Sequence, residues 1–271
     1  MCLQIIAITD RKRCQSQNST IKDFTKDIDR FLVRLESLAK SGVDSVILRE
    51  KDLRESEYLL LAKEAIGIFE NANKTNINNA SNECKLILHN FIEVAYKLEY
   101  PFFHAPFGVL EGLASDKILC QKIRENGAFG VSIHSLEELA VALDFGVDYA
   151  IVGNVFQSAC KEGVRGKGVG ILREMSSRLE YLGLTKDCKN LPLYAVGGIC
   201  KENLAMLCKD IKNTLSNSNT QASNNTKTNT KIVSAKIAGV CMRSALMECE
   251  NPKAYIAQCK EIITKEICKD F

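Results

Sequence analysis

The chain has 271 residues, a formal net charge of +3 and 46% hydrophobic residues. That length accommodates one α/β barrel or two smaller domains, and the apolar share can supply a large core. So small a charge argues against nucleic acid or a membrane surface as a partner, and no run is long and apolar enough for a membrane span.

Met1-Cys2-Leu3-Gln4 leads directly into a strand pattern rather than a signal peptide, so a cytoplasmic location is expected. The 12 cysteines are scattered, without C-x-x-C pairs or histidine spacing of a metal site. They read as reduced thiols packed as small hydrophobes rather than a disulfide framework. Self-association is left open by composition.

In chain order, Leu3 to Thr9 (LQIIAIT) reads as a first strand ending at Asp10-Arg11. Phe24, Ile28, Phe31, Leu32, Leu35, Leu38 and Ala39 recur at helical spacing, and Gly42 stops that helix. Ser45 to Leu48 is a second strand delivering Arg49-Glu50-Lys51-Asp52, followed by a helix marked by Tyr58, Leu61, Ala62, Ala65 and Phe69. Lys85 to Leu88 is a third strand running into His89-Asn90, with a helix from Ile92 to Leu98. Phe102-Phe103 is a short fourth strand ending at His104, and Ser115 caps a helix closed by Gly127.

Phe129 to Ile133 is a fifth strand. Ser135-x-x-Glu138 is a capping-box pattern ahead of Leu136, Leu139, Ala142 and Leu143, so a helix starts at Ser135 and ends near Gly146. Asp148 to Val152 is a sixth strand, Ile171 to Leu182 a helix, and Pro192 to Val196 a seventh strand ending in Gly197-Gly198. A helix over Glu202 to Cys208 and an eighth strand over Ile237 to Met242 follow. Asn251-Pro252 then opens a last helix. Two Asn-rich insertions, near 72–84 and 213–231, are polar, the second almost without apolar side chains, and are expected to stay without regular structure.

Eight short apolar strands alternating with amphipathic helices indicate parallel pairing. About 250 residues is typical of a (β/α)8 TIM barrel, so residues 1–271 are read as a single barrel domain. An open doubly wound sheet is the alternative. Asp10, Arg49, Lys51, His89, Asn90, His104, His134 and Asn154 all fall at strand ends, so a barrel brings the chain's 3 histidines to one face.

His134, between a strand and a capped helix, is the best-placed proton carrier, since a neutral imidazole takes and returns a proton near pH 7. An ordinary helix-entry turn is the rival reading. Gly197-Gly198 and the Gly239–Ser244 stretch offer backbone amides to an anion at neighbouring strand ends, where barrels often hold phosphate. Lys161, Arg165 and Lys167, among four glycines, form a loop that is either a closing cationic lid or a solvated basic segment.

AITD near the start, LREKD at Leu48–Asp52, GVSIHSLEE at Gly130–Glu138, DYAIVGNVF at Asp148–Phe156, AVGGI at Ala195–Ile199 and AGVCMRSAL at Ala238–Leu246 together resemble the thiamine phosphate synthase / thiazole tautomerase family of (β/α)8 barrels. The resemblance covers nearly the whole chain outside the Asn-rich stretches. It implies a role in thiamine biosynthesis and a small phosphorylated thiazole as substrate.

The family's synthase branch carries N-D-R after the third strand and H-L-G-Q-x-D after the fourth, with aspartates that resemble Mg²⁺ ligands. This chain has His89-Asn90-Phe91 and His104-Ala105-Pro106-Phe107-Gly108 at those places. VFQSACKEGVRGKGVGIL and the IHSLEE motif are similar to the tautomerase branch, which implies a metal-free isomerase with His134 transferring the proton. The same resemblance implies that Arg49, Lys51, Ser158, Lys161, Gly198 and Ser244 bind substrate or phosphate. LREKD is closer to the synthase, and Asn154 stands where tautomerase-like sequences carry a histidine. The expectation is a tautomerase-like isomerase without a cofactor. The alternatives are a Mg²⁺-dependent thiamine phosphate synthase and a non-catalytic thiazole-phosphate binder.

Overall fold

A computed structural model describes residues 3–14, 24–75, 83–113, 127–157, 166–185, 191–221 and 237–268. The strands are β1 (Gln4–Ile8), β2 (Ser45–Leu48), β3 (Lys85–His89), β4 (Phe102–Pro106), β5 (Ala128–Ile133), β6 (Tyr149–Gly153), β7 (Leu193–Val196) and β8 (Ile237–Met242). All pair in parallel and in chain order, and β8 returns to β1 with Gln4 opposite Gly239 and Ala7 opposite Met242, closing the barrel. The outer ring comprises α1 (Phe24–Ala39), α2 (Glu55–Thr75), α3 (Ile92–Lys97), α4 (Phe107–Gly112), α5 (Leu136–Phe145), α6 (Gly170–Thr185), α7 (Lys201–Gln221), α8 (Ser244–Glu248) and α9 (Pro252–Ile263). The single barrel replaces the open-sheet alternative.

Parallel strands covered on both faces must be apolar on both, and these are. Along β1, Ile5 and Ala7 pack outward against the helices, whereas Ile6 and Ile8 turn into the lumen with Ile47, Ile87, Tyr149, Ile151, Tyr194 and Cys241. The helices supply the complementary faces, α2 burying Tyr58, Leu61, Ala62, Ala65, Phe69 and Ala72. The capping signals act as expected. Ser135 accepts from Glu138 N–H, Gly146 takes a left-handed conformation at φ 74°, and Asn251 accepts from Ala254 N–H ahead of Pro252.

Both Asn-rich stretches are partly helical. The backbone of α2 continues to Thr75, and Asn73 then ties the helix end to β3, its amide donating to Cys84 O and accepting from Cys84 N–H. α7 runs on through Gln221, beyond its buried Leu204, Leu207, Cys208 and Ile211. Once a buried face has nucleated a helix, propagation into polar sequence costs little. The rest of each stretch, and the Ser115-capped helix, lie outside the described residues. Among the described residues the cysteines are free thiols; Cys84, Cys208, Cys241 and Cys259 are buried. No described helix is long and apolar enough to cross a membrane.

Two strand ends depart from expectation. β3 includes His89, and β4 runs on through Pro106, so His104 lies inside a strand rather than beyond it. Pairing with β5 imposes this, aligning His104 with Gly130 and Pro106 with Ser132. The alternation then turns His104 into the lumen, where its Nδ1 meets Tyr149 OH at 3.1 Å and its Nε2 meets Ser132 Oγ at 2.8 Å. Gly130 makes room for that tyrosine, because a Cβ there would lie 2.0 Å from its ring. His89 stacks on His104 with ring centroids 5.9 Å apart. One side chain outside the barrel supports this wall: buried Tyr58 donates to Leu48 O and accepts from His89 N–H.

Replacing Tyr58 with Phe leaves those two backbone groups unpaired, with an expected loss of about 1–3 kcal/mol in urea unfolding. Burial holds the His104 imidazole down to about 3, against 6.5 for an unperturbed histidine. Between those values the unfolded chain carries the extra proton, so this contribution is complete above pH 6.5 and is lost as pH falls toward 3. His89, pushed down by burial and by its cationic neighbours, acts in the same direction. The stability of His104→Gln should fall less steeply below pH 6.5, by up to about 1.4 kcal/mol per pH unit, in denaturant midpoints measured across that range.

Candidate active site

A cavity of about 1030 Å³ opens at the carboxyl ends of the strands, the end at which barrels carry their chemistry. Of the residues selected from sequence, Arg49, Lys51, His134, Gly198 and Ser244 all line it, together with His89, His104 and Asn154. Ser158 and Lys161 lie outside the described residues. Asp10 and Asn90 are not on the cavity wall; Asp10 instead accepts from Arg13 Nε at 3.2 Å. Sequence reasoning missed Arg13, Ser132, Glu138, Gln157 and Arg243 as lining residues. Arg243 could have been found by the rule that selected Arg49, since it directly follows Met242 at the end of β8. Ser132 could not, because it sits inside β5.

His134 is held from four directions. Its backbone N–H donates to Glu138, its carbonyl accepts from Lys167 Nζ, and Ser135 caps the helix behind it. Its Nδ1 lies 2.8 Å from Gly153 O at the end of β6. A carbonyl only accepts, so Nδ1 carries the proton in the neutral ring and Nε2 keeps the lone pair. That is the tautomer a general base requires.

Arg49 and Lys51 reach the cavity through a clamp centred on Glu50, which is 3% exposed. Its carboxylate accepts from Thr9 Oγ1 at 2.7 Å and from the Arg11 backbone N–H, and Thr9 Oγ1 in turn accepts from Arg49 N–H at 2.8 Å. Burial raises the Glu50 carboxyl above the usual range, opposed by the Thr9 and Arg11 hydrogen bonds. Arg11 also forks onto Asp52, and that hydrogen bond holds the Asp52 carboxyl well below its ordinary value. The loops after β1 and β2 are thereby fastened together, with the two flanking cations on the cavity.

Across the mouth, Gly197 and Gly198 adopt φ of 114° and 59°. A Cβ on Gly198 would stand 2.4 Å from Gln157 O, so only glycine allows this close approach. Asn203 ties the turn to α7, its Nδ2 donating to Gly198 O and its Oδ1 accepting from Cys200 N–H. Of the three carboxylates on the wall, Glu138 is engaged with His134, Glu248 with Arg13 and Glu202 with Cys200. Arg49, Lys51 and Arg243 add positive charge that suits the mouth to anions.

Mg²⁺ takes oxygen ligands, carboxylates foremost. The wall built by the ends of β3 and β4 presents His89, His104, Pro106 and Phe107, which do not fit that ion. Among the described residues no three His, Cys, Asp or Glu side chains are grouped as a metal site.

A sequence profile described as thiamine monophosphate synthase matches residues 19–213. A thiamine-phosphate synthase of Caldanaerobacter subterraneus is 28% identical over 190 residues, spanning 68% of this chain and 74% of the relative. One from Alkaliphilus oremlandii is 27% identical over 183 residues, spanning 68% of this chain and 76% of the relative. Among solved structures, a thiamine phosphate pyrophosphorylase from Pyrococcus furiosus superposes with a TM-score of 0.61 at 18% identity, covering 98% of this chain and 97% of that one. At that identity the likeness speaks for the fold, whereas the profile spans well over half of the sequence. The chain belongs to the thiamine monophosphate synthase family.

Proposed function

We propose that the chain acts in thiamine biosynthesis on a phosphorylated thiazole, as a tautomerase-like isomerase that moves one proton without a metal. The observation that carries this reading is the Nδ1 bond of His134 to Gly153 O, which leaves Nε2 as a base. On this reading the phosphate lies against Gly198 and Ser244; Ser158 and Lys161, assigned to the substrate from sequence, lie outside the described residues. Arg49 and Lys51 supply countercharge from the other side. Nε2 takes a proton from one carbon of the substrate, and the pair of that C–H bond enters the ring as the double bonds shift to the aromatic arrangement. The double-bond pair displaced onto a second carbon takes the proton back from Nε2, so no atom is gained or lost. The Gly153 carbonyl keeps the ring oriented while it is transiently cationic.

The named relatives favour a second reading, a Mg²⁺-dependent thiamine-phosphate synthase. Against it stands the β3–β4 wall of imidazoles, proline and phenylalanine, where that chemistry calls for carboxylates. Incubating the protein with each family substrate, with and without Mg²⁺ or EDTA, separates the two. Isomerisation of the thiazole carboxylate phosphate that is insensitive to EDTA is expected. Mg²⁺-dependent coupling of the pyrimidine diphosphate to thiazole phosphate would establish the second reading instead. For His134→Gln, kcat should fall by about 10²–10⁴-fold, while substrate affinity in calorimetry stays within a few-fold.

A further inference from the structure

Away from the proposed proton carrier, two cysteines meet where the chain closes its ring. Cys14 ends a short 3-10 turn, Arg11–Cys14, that follows β1, and Cys249 directly follows α8. The turn packs against both α8 and α1. Arg13 is ion-paired with Glu248, so the next residue on each segment, Cys14 and Cys249, is brought to the same place. Both thiols lie against one guanidinium, that of Arg34 on α1. Its Nη1 is 3.9 Å from Cys249 Sγ, and it hydrogen-bonds Cys14 as well. A cation beside a thiol favours the thiolate, the form that reacts. Burial works the other way, raising the Cys14 thiol to about 11 and the Cys249 thiol above its ordinary value. At neutral pH the resting pair is therefore protonated and reduced.

Cys249 lines the cavity and Cys14 is half-buried, so both are open to a small oxidant. Cys259, another thiol in electrostatic reach of Cys249, is 0% exposed in the core and is shielded from one. We infer that Cys14 and Cys249 form a redox-modification site, joined by a hydroperoxide into a disulfide across the seam between the first and last strands of the barrel. The Cys249 thiolate takes one oxygen of hydrogen peroxide as the O–O bond breaks, and the other oxygen leaves as water with the thiol's proton. The Cys14 thiolate then attacks that sulfur. An S–S bond forms, the S–O bond breaks, and the hydroxyl leaves as a second water with the second thiol's proton. Two electrons pass from the sulfurs to the peroxide, and a dithiol reverses the change by exchange. The bond encloses nearly the whole chain in one loop, the case in which a cross-link most restricts the unfolded state. It would act as a latch on barrel closure, whichever reaction the cavity performs.

The test treats the reduced chain with hydrogen peroxide, alkylates the remaining thiols and maps disulfides by mass spectrometry of an unreduced digest. The peptide holding Cys14 should appear joined to the one holding Cys249. The midpoint of thermal unfolding should rise by about 5 °C or more, and dithiothreitol should reverse both changes. Cys14→Ser and Cys249→Ser should each abolish the cross-link and the rise, whereas Cys200→Ser should keep both. Joining of Cys249 to Cys200 or Cys259 instead, or no disulfide at Cys14 and Cys249, would overturn the site. So would a rise in the midpoint that survives in both serine variants. A Cys14–Cys249 peptide formed without any rise would overturn it too, marking a bond made only in unfolded chain.

Discussion

Closure of β8 onto β1 is the constraint on which the rest of the structure depends. Gln4 must meet Gly239 backbone to backbone, and a Cβ on that glycine would lie 2.2 Å from Gln4 O. An open sheet would place the ends of β2 and β8 at separate edges, far from one another. Closure brings them round a single mouth, so that Arg49, Arg243, Gly198 and His134 share a cavity although nearly 200 residues separate the first two. A ring of parallel strands also has no free edge to protect.

Within that ring, alternation along extended chain does much of the chemical sorting. Arg49 and Lys51 lie on the cavity while Glu50 between them enters the clamp with Thr9 and Arg11. In β5, Ser132 faces the lumen while Val131 and Ile133 pack outward against helices. The same period turns His104 inward, where burial keeps it neutral, and sets His89 beside it. The outcome is a mouth with cations on its rim and uncharged imidazoles on one inner wall.

Local patterning exposed the strand and helix content closely. Ser45–Leu48 and Ile237–Met242 coincide with β2 and β8, and the Ser135 and Asn251 caps stand where their spacing placed them. Departures arose where long-range pairing overrode local composition. His104-Ala105-Pro106 is a weak strand sequence that β5 nevertheless draws into the sheet. Asn213 to Gln221 is poor helix material, carried along by the buried turns before it. Arg13 was invisible as a site residue because its approach to the cavity depends on Asp10 and Glu248, the latter brought near only by closure.

By itself the sequence determined the kinds of element, their order, the likeness to a family of barrels, and the placing of His134 at a strand-to-helix junction. The likeness rests on the resemblance of its motifs; the others follow from spacings of a few residues, because apolar periodicity and capping are local effects. The tertiary structure decided which strand ends share a wall, which nitrogen of His134 holds the proton, and that Glu50 serves the loops rather than the cavity. It also decided that His89 Nδ1 and Asn154 Nδ2 are buried without a hydrogen-bond partner. These are consequences of contacts across tens to hundreds of residues, set only when the ring closes and each inward side chain meets neighbours that its own segment does not contain.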